Sequence, residues 1–277
     1  MERRQKESHM QMRIDYETRF TAALSVTLSL LAVIFGQATI APAQANWRNV
    51  STFQFDWDEH RNVKVHLDIP STRSEPGDFT RIRILIPGQK EFALKNASGW
   101  VGYTSKDASI LPALRKRENL VNSHHVLALD ANHGRMLLFL LGYPYASSPG
   151  SLDVLELSDQ GDPHVILHRK ELGLADVRDL DADGLSEIIG FPCISQAFGN
   201  GLLTYDPLNV YTLAAASTGY ATLSIPLSKV YNEEHYYGWA GAKCSEDFAV
   251  VLHPPKGHKP IVVSTREAEV MTQSKTH

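Results

Sequence analysis

From Asn46 to about Leu213 the apolar residues recur at every second position, and this period limits the fold more than any other feature of the 277-residue chain. A period of two sends successive side chains to opposite faces of an extended strand, whereas a helical face needs 3.6. Phe53, Phe55 and Trp57 alternate with Gln54, Asp56 and Asp58, and Val63, Val65, Leu67 and Ile69 with Lys64, His66 and Asp68. Ile82, Ile84 and Ile86 are set against Arg81 and Arg83 in the same way. Strands of this kind have one buried and one solvated face, as in antiparallel sheets. Pro70 and Pro87 end two of the runs, because proline cannot donate to a ladder.

Further along, two apolar runs flank Ala131–Gly134 and two more flank Asp159–Pro163, which predicts a pair of hairpins with those segments as turns. Between the early strands and the hairpins, Leu111, Leu114 and Val121 are spaced helically, with Pro112 in a first turn. From about residue 217 the character changes. Leu227, Val230 and Tyr231 behind Pro226 predict an amphipathic helix over 223–238 that ends on Gly238. "FAVVLH" and "PIVVST" read as two last strands around the turn "PPKGHK", and "REAEVMTQ" as a short terminal helix. No Pro/Ser linker divides residues 46–277, so the expectation is a single domain, mainly β with a few short helices, built as an antiparallel sheet assembly.

The first 45 residues have the order of a secretory signal: basic residues up to Arg19, the apolar run Ala22–Gly36, then "APAQA" at 41–45. Cleavage after Ala45 gives a mature chain that begins at Asn46, periplasmic or extracellular, with no stable membrane insertion. The alternative, an uncleaved anchor, needs about 20 apolar residues, and Gln37 and Thr39 interrupt the run first. Export removes five of the 27 Lys and Arg and four of the 31 Asp and Glu, which leaves 22 against 27. A net charge of −5 argues against nucleic acid as a partner. Cys193 and Cys244 are the two cysteines of the chain; in an oxidising compartment one disulfide is the simplest account, and two separate buried thiols are the alternative.

"DLDADGLSEIIG" carries the most chemistry. Hard calcium ions take six to eight oxygen ligands, which a short loop supplies when alternate side chains point to one centre. Counted from Asp179, carboxylates fall at positions 1, 3, 5 and 9: Asp179, Asp181, Asp183 and Glu187. Gly184 at position 6 allows a sharp turn, and Leu185 at position 7 offers a backbone carbonyl. Position 12 is Gly190 rather than the bidentate Glu of an EF-hand, and the flanks read as strands.

Over residues 174–190 the chain resembles the calcium loops of FG-GAP and VCBS repeats, the integrin-α type of β-propeller blade, whose pattern is D-x-D-x-D-G-x-x-D between apolar strands. The resemblance implies a structural calcium ion held by Asp179, Asp181, Asp183, Glu187 and the Leu185 carbonyl. Glu187 stands where the family more often has Asp. The rival reading is an acidic hairpin turn that binds nothing. "FQFDWDEHRNVKV" can be laid over the loop with Asp56 on Asp179 and Asp58 on Asp181, but Lys64 then falls on the last ligand position. That copy is a decayed repeat or a chance alternation, and it binds no calcium. A closed propeller needs about four to eight similar blades, so a partial or propeller-like sheet assembly is expected, with a small closed propeller as the alternative.

Catalytic motifs such as G-x-S-x-G, a P-loop or H-E-x-x-H are not found. His164 and His168 lie in an apolar strand and read as surface histidines on one face. Glu233, Glu234, His235, Tyr236, Tyr237 and Trp239 have a composition suited to a sugar ring, but as the end of an amphipathic helix they serve packing equally well. Two main functional readings follow. One is an exported binding module for a protein or glycan partner, stiffened by calcium; the other is an extracytoplasmic hydrolase acting on glycans. A membrane-tethered structural protein is a third, should the N-terminal segment stay in place.

Overall fold

Alternating strands pair with their neighbours in sequence, and the first nine of them form one antiparallel sheet. They are β1 (Trp47–Asp58), β2 (Arg61–Pro70), β3 (Phe79–Leu85), β4 (Phe92–Val101), β5 (Leu120–Ser123), β6 (Val126–Asp130), β7 (Arg135–Gly142), β8 (Leu152–Ser158) and β9 (Gly161–Arg169). The order is β1-β2-β3-β4-β7-β6-β5, with β8 on the other edge of β7 and β9 beyond it. Then come β10 (Gly173–Arg178), β11 (Glu187–Phe191), β12 (Leu202–Tyr205), β13 (Asn209–Thr212), β14 (Thr222–Leu223), α1 (Ile225–His235), β15 (Ser245–Val251), β16 (Ile261–Ser264) and α2 (Thr265–Gln273). They build a four-stranded sheet, β10-β11-β13-β14, and a three-stranded one, β12-β15-β16. The computed structural model describes residues 46–58, 61–72, 78–102, 120–123, 126–130, 134–146, 148–159, 161–199, 201–213, 219–254 and 258–273. The expected mainly β, antiparallel class is what forms, and among the described residues no sheet closes into a barrel. Sheets of nine, four and three strands are not the equal blades of a closed propeller.

Three of the local expectations shift. Val121 stands in β5, not in a helix, while residues 103–119 lie outside the described ones. The second hairpin turns earlier than Asp159–Pro163, since β9 already begins at Gly161. Pro163 is tolerated inside that strand because the ladder breaks register between Glu156 and Ser158, and a bulge leaves a backbone position with no bond to make. The helix starts at Ile225, not 223, because Ser224 caps it by accepting the Leu227 N–H, with Pro226 in the first turn. The signal-like segment 1–45 and most of the Ala131–Gly134 turn fall outside the described residues. Among those described, no helix is long and apolar enough to cross a membrane.

Two cores lie on the two faces of β6, β7 and β8. On one face Val126, Ala128, Leu138, Leu140, Leu155 and Leu157 pack with Val63, Val65, Ile82 and Ile84, so the nine-stranded sheet folds back on itself. On the other, Leu127, Leu137, Phe139 and Val154 meet Val177, Ile188 and Tyr211 of the four-stranded sheet. Burial on both sides explains why these strands read as continuous apolar runs. It also means that their polar residues are enclosed. Arg135 Nη2 donates to Glu156 Oε2 at 2.6 Å, and Glu156 is fully buried. Asp153, also buried, accepts the Trp100 indole N–H at 2.7 Å and a hydrogen bond from His168 Nδ1.

On the solvent face of the β1–β4 half, Asp68 is buried beneath two arginines. It accepts from Arg81 Nε and Arg83 Nε, each at 2.8 Å, and from Asn49 Nδ2 at 3.1 Å. Burial alone would raise its carboxyl, but the hydrogen bonds from Arg83, Asn49 and Arg81 outweigh that and hold it below the ordinary 3.8. A folded-state value below the unfolded one gives stability that is present above the ordinary value and lost as pH falls through the lowered one. Melting temperature plotted against pH therefore has an acid limb to which Asp68 contributes. In Asp68→Asn that limb is flatter, and a limb unchanged in steepness would refute the assignment.

Candidate metal centre

β10 and β11 pair antiparallel up to Arg178 opposite Glu187, and the eight residues between them must turn back within the width of one ladder rung. Short polar side chains make this possible by capping the backbone of their own loop. Asp179 Oδ1 accepts the Ala182 N–H at 2.7 Å and its Oδ2 the Gly184 N–H at 3.1 Å. Asp181 accepts from Asp183 N at 3.2 Å, and Asp183 from Leu185 N at 2.7 Å. Ala182 and Gly184 take left-handed backbone, φ 63° and 86°. Gly184 does so without a Cβ clash, while Ala182 costs about 1–2 kcal/mol.

Leu185 fixes the far side of the loop. Its side chain is 7% exposed and belongs to the core shared by the two larger sheets. The sequence suggested only its carbonyl; the apolar residue inside an acidic run was the signal for an anchor. Glu187 is 1% exposed, and its Oε2 accepts the Leu180 N–H at 2.6 Å, which ties the last ligand position to the start of the loop.

Carboxylate oxygens of Asp179, Asp181 and Glu187 lie within 4.8 Å of one another. Asp183 is not in that group; it is exposed and spends one oxygen on Leu185 N. Burial first, and then the charges of Asp181, Asp183 and Asp179, push the Glu187 carboxyl up to about 7 against the pull of the Leu180 N–H. A divalent cation would reverse both effects, since it supplies the counter-charge that burial and the aspartates lack. Hard oxygens from two exposed and one buried carboxylate suit calcium, with water and carbonyl oxygens to complete six to eight positions.

The other singled-out residues fall elsewhere. Asp56 is paired with Asn62 through a 2.8 Å hydrogen bond on the β1–β2 ladder, so with Asp58 it sits on a strand rather than in a loop. Cys193 and Cys244 form a disulfide, Cα–Cα 6.4 Å, between the segment after β11 and the start of β15. Glu233 and Glu234 are exposed on α1, where they pair with Lys229 and His235. His164 and His168 are on opposite sheet faces, because their partners Glu156 and Asp153 are three residues apart on β8 and the β9 register breaks between them. Family models, curated proteins and solved structures were each compared with the chain, and none matches it.

Proposed function

We propose that this is an exported binding module whose β10–β11 turn is held rigid by a structural calcium ion. The observation that carries the reading is Glu187: a carboxylate shut into the protein within reach of Asp179 and Asp181, with no cationic side chain among its hydrogen-bond partners in the described residues. Calcium supplies two positive charges and six to eight coordination positions. The chain supplies the rest: Leu185 pins the loop to the core, Leu180 N–H orients Glu187, and the Asp179 and Asp183 hydrogen bonds fold the backbone beforehand. The disulfide and the signal-like N-terminus support a non-reducing, extracytoplasmic setting. The partner class is a protein or a glycan.

The test is a thermal melt of the mature chain in EDTA and then in calcium, beside Asp181→Ala. At a calcium concentration 100 times Kd the wild type gains about 2.7 kcal/mol, a rise of about 5–10 °C for a domain of this size. Asp181→Ala loses most of the gain. Coincident wild-type melts in the two buffers reduce the stretch to an acidic hairpin turn.

A further inference from the structure

Leu180 stands between the two exposed acids of the β10–β11 turn, Asp179 and Asp181, and sends its side chain into a small core beneath α1. Its neighbours there are Ile189 of β11, Val210 of β13, Leu208 just before it, and Leu227 and Tyr231 of the helix. The backbone of the same residue meets the carboxylates, since the Leu180 N–H donates to Glu187 Oε2 at 2.6 Å. One residue therefore touches both the candidate metal centre and α1.

α1 is held to the sheet in two ways. Polar bonds run along β13: the Val210 N–H donates to Ser228 Oγ at 2.9 Å, and Asn232 accepts the Leu208 N–H at 2.9 Å and donates to its carbonyl at 2.6 Å. The apolar seat is thin, with Ile189, Val210 and Tyr231 inside it among the described residues and Ala175, Leu180, Leu208 and Leu227 closing its sides. Of these, Leu180 alone comes from the acidic turn, so the fit of the helix follows where the turn places it. That placement depends on charge, because carboxylate oxygens of Asp179, Asp181 and Glu187 lie within 4.8 Å of one another and like charges so close repel. Glu187 points to an ion independently of the exposed acids: it is 1% exposed, one oxygen has the Leu180 N–H, and the other accepts no hydrogen bond among the described residues.

We infer that Leu180 couples the seating of α1 to the cation at the turn, a step that rests on the calcium reading proposed for that turn. With the acids drawn together, Leu180 is held under Leu227 and Tyr231; with the acids repelling one another, it withdraws and the helix loosens from its apolar seat. Coupling of this kind is reciprocal, so a change that loosens α1 weakens the ion by the same factor. The ion thus regulates a helix it does not touch.

The test sets calorimetric titration of calcium into the full chain beside amide hydrogen exchange in EDTA and in calcium, at short labelling times where local openings dominate. In wild type calcium binds saturably, and α1 exchanges at least about fivefold more slowly with calcium than without, the low end of the usual coupling range. α2 packs on the core of the three-stranded sheet, and its exchange stays the same. Leu180→Ala keeps every carboxylate and the backbone N–H, so it still binds calcium but no longer protects α1. Leu227→Ala, with the turn intact, weakens calcium at least about fivefold. Calcium that binds wild type without slowing α1, or slows α1 and α2 alike, overturns the coupling and leaves the calcium turn standing. Protection of α1 that survives Leu180→Ala overturns the route through Leu180. A wild-type chain that takes up no calcium overturns both the coupling and the calcium turn.

Discussion

Arg135→Met lowers stability by about 3–5 kcal/mol, because the substitution leaves the Glu156 carboxylate buried without its cation. Glu156 is 0% exposed and its Oε1 already lacks a hydrogen bond, so the ion pair with Arg135 Nη2 is the main counterweight to its desolvation. The double variant Arg135→Met/Glu156→Leu regains most of the loss, since two apolar side chains of similar volume need no counter-charge. Urea unfolding of the three proteins gives the comparison. A single variant within about 0.5 kcal/mol of wild type, the range of an ordinary surface change, would mean that water reaches Glu156.

Opening the Cys193–Cys244 bond has an effect of the same size. The cysteines are 51 residues apart, and in the chain-entropy account closing such a loop contributes about 4 kcal/mol. The bond joins the approach to β12 to the start of β15, and the sheet that these two strands share has a small core, with Leu202, Ala249, Val251 and Ala268 inside it among the described residues. Cys193→Ala/Cys244→Ala, or wild type under reductant, therefore melts about 8–16 °C lower. A fall below about 1 kcal/mol would show that packing alone closes the loop.

Period and turn chemistry made most of the strands legible, from Phe53–Trp57 through Ile82–Ile86, since one rule links residue spacing to a buried face. What escaped the sequence were the places where two elements compete. Val121 looked helical beside Leu114 but pairs with Ala128, and a short apolar spacing serves either geometry until a partner strand exists. Pro163 looked like a turn because the bulge that shelters it depends on β8. At the candidate metal centre the alternating aspartates were visible, yet Leu185 as anchor and the burial of Glu187 follow from how the four-stranded sheet packs on its neighbour. Buried Arg135, Glu156 and Asp153 were hidden for the same reason: their strands are enclosed on both faces, which no single strand reveals.

The edges of the sheets bear on how the protein behaves at high concentration. Among the described residues β1, twelve residues long, has a ladder partner on one side only, and a straight edge of that length is a template on which a second molecule can add by main-chain bonding. Its register breaks twice, at Asn49/Ser51 and at Asp56/Asp58, and each break twists the strand and interrupts the row of outward amides. At the end of the four-stranded sheet, β14 is two residues long, and the chain leaves it at once for α1. Fibre growth by strand addition has little to extend from at either place.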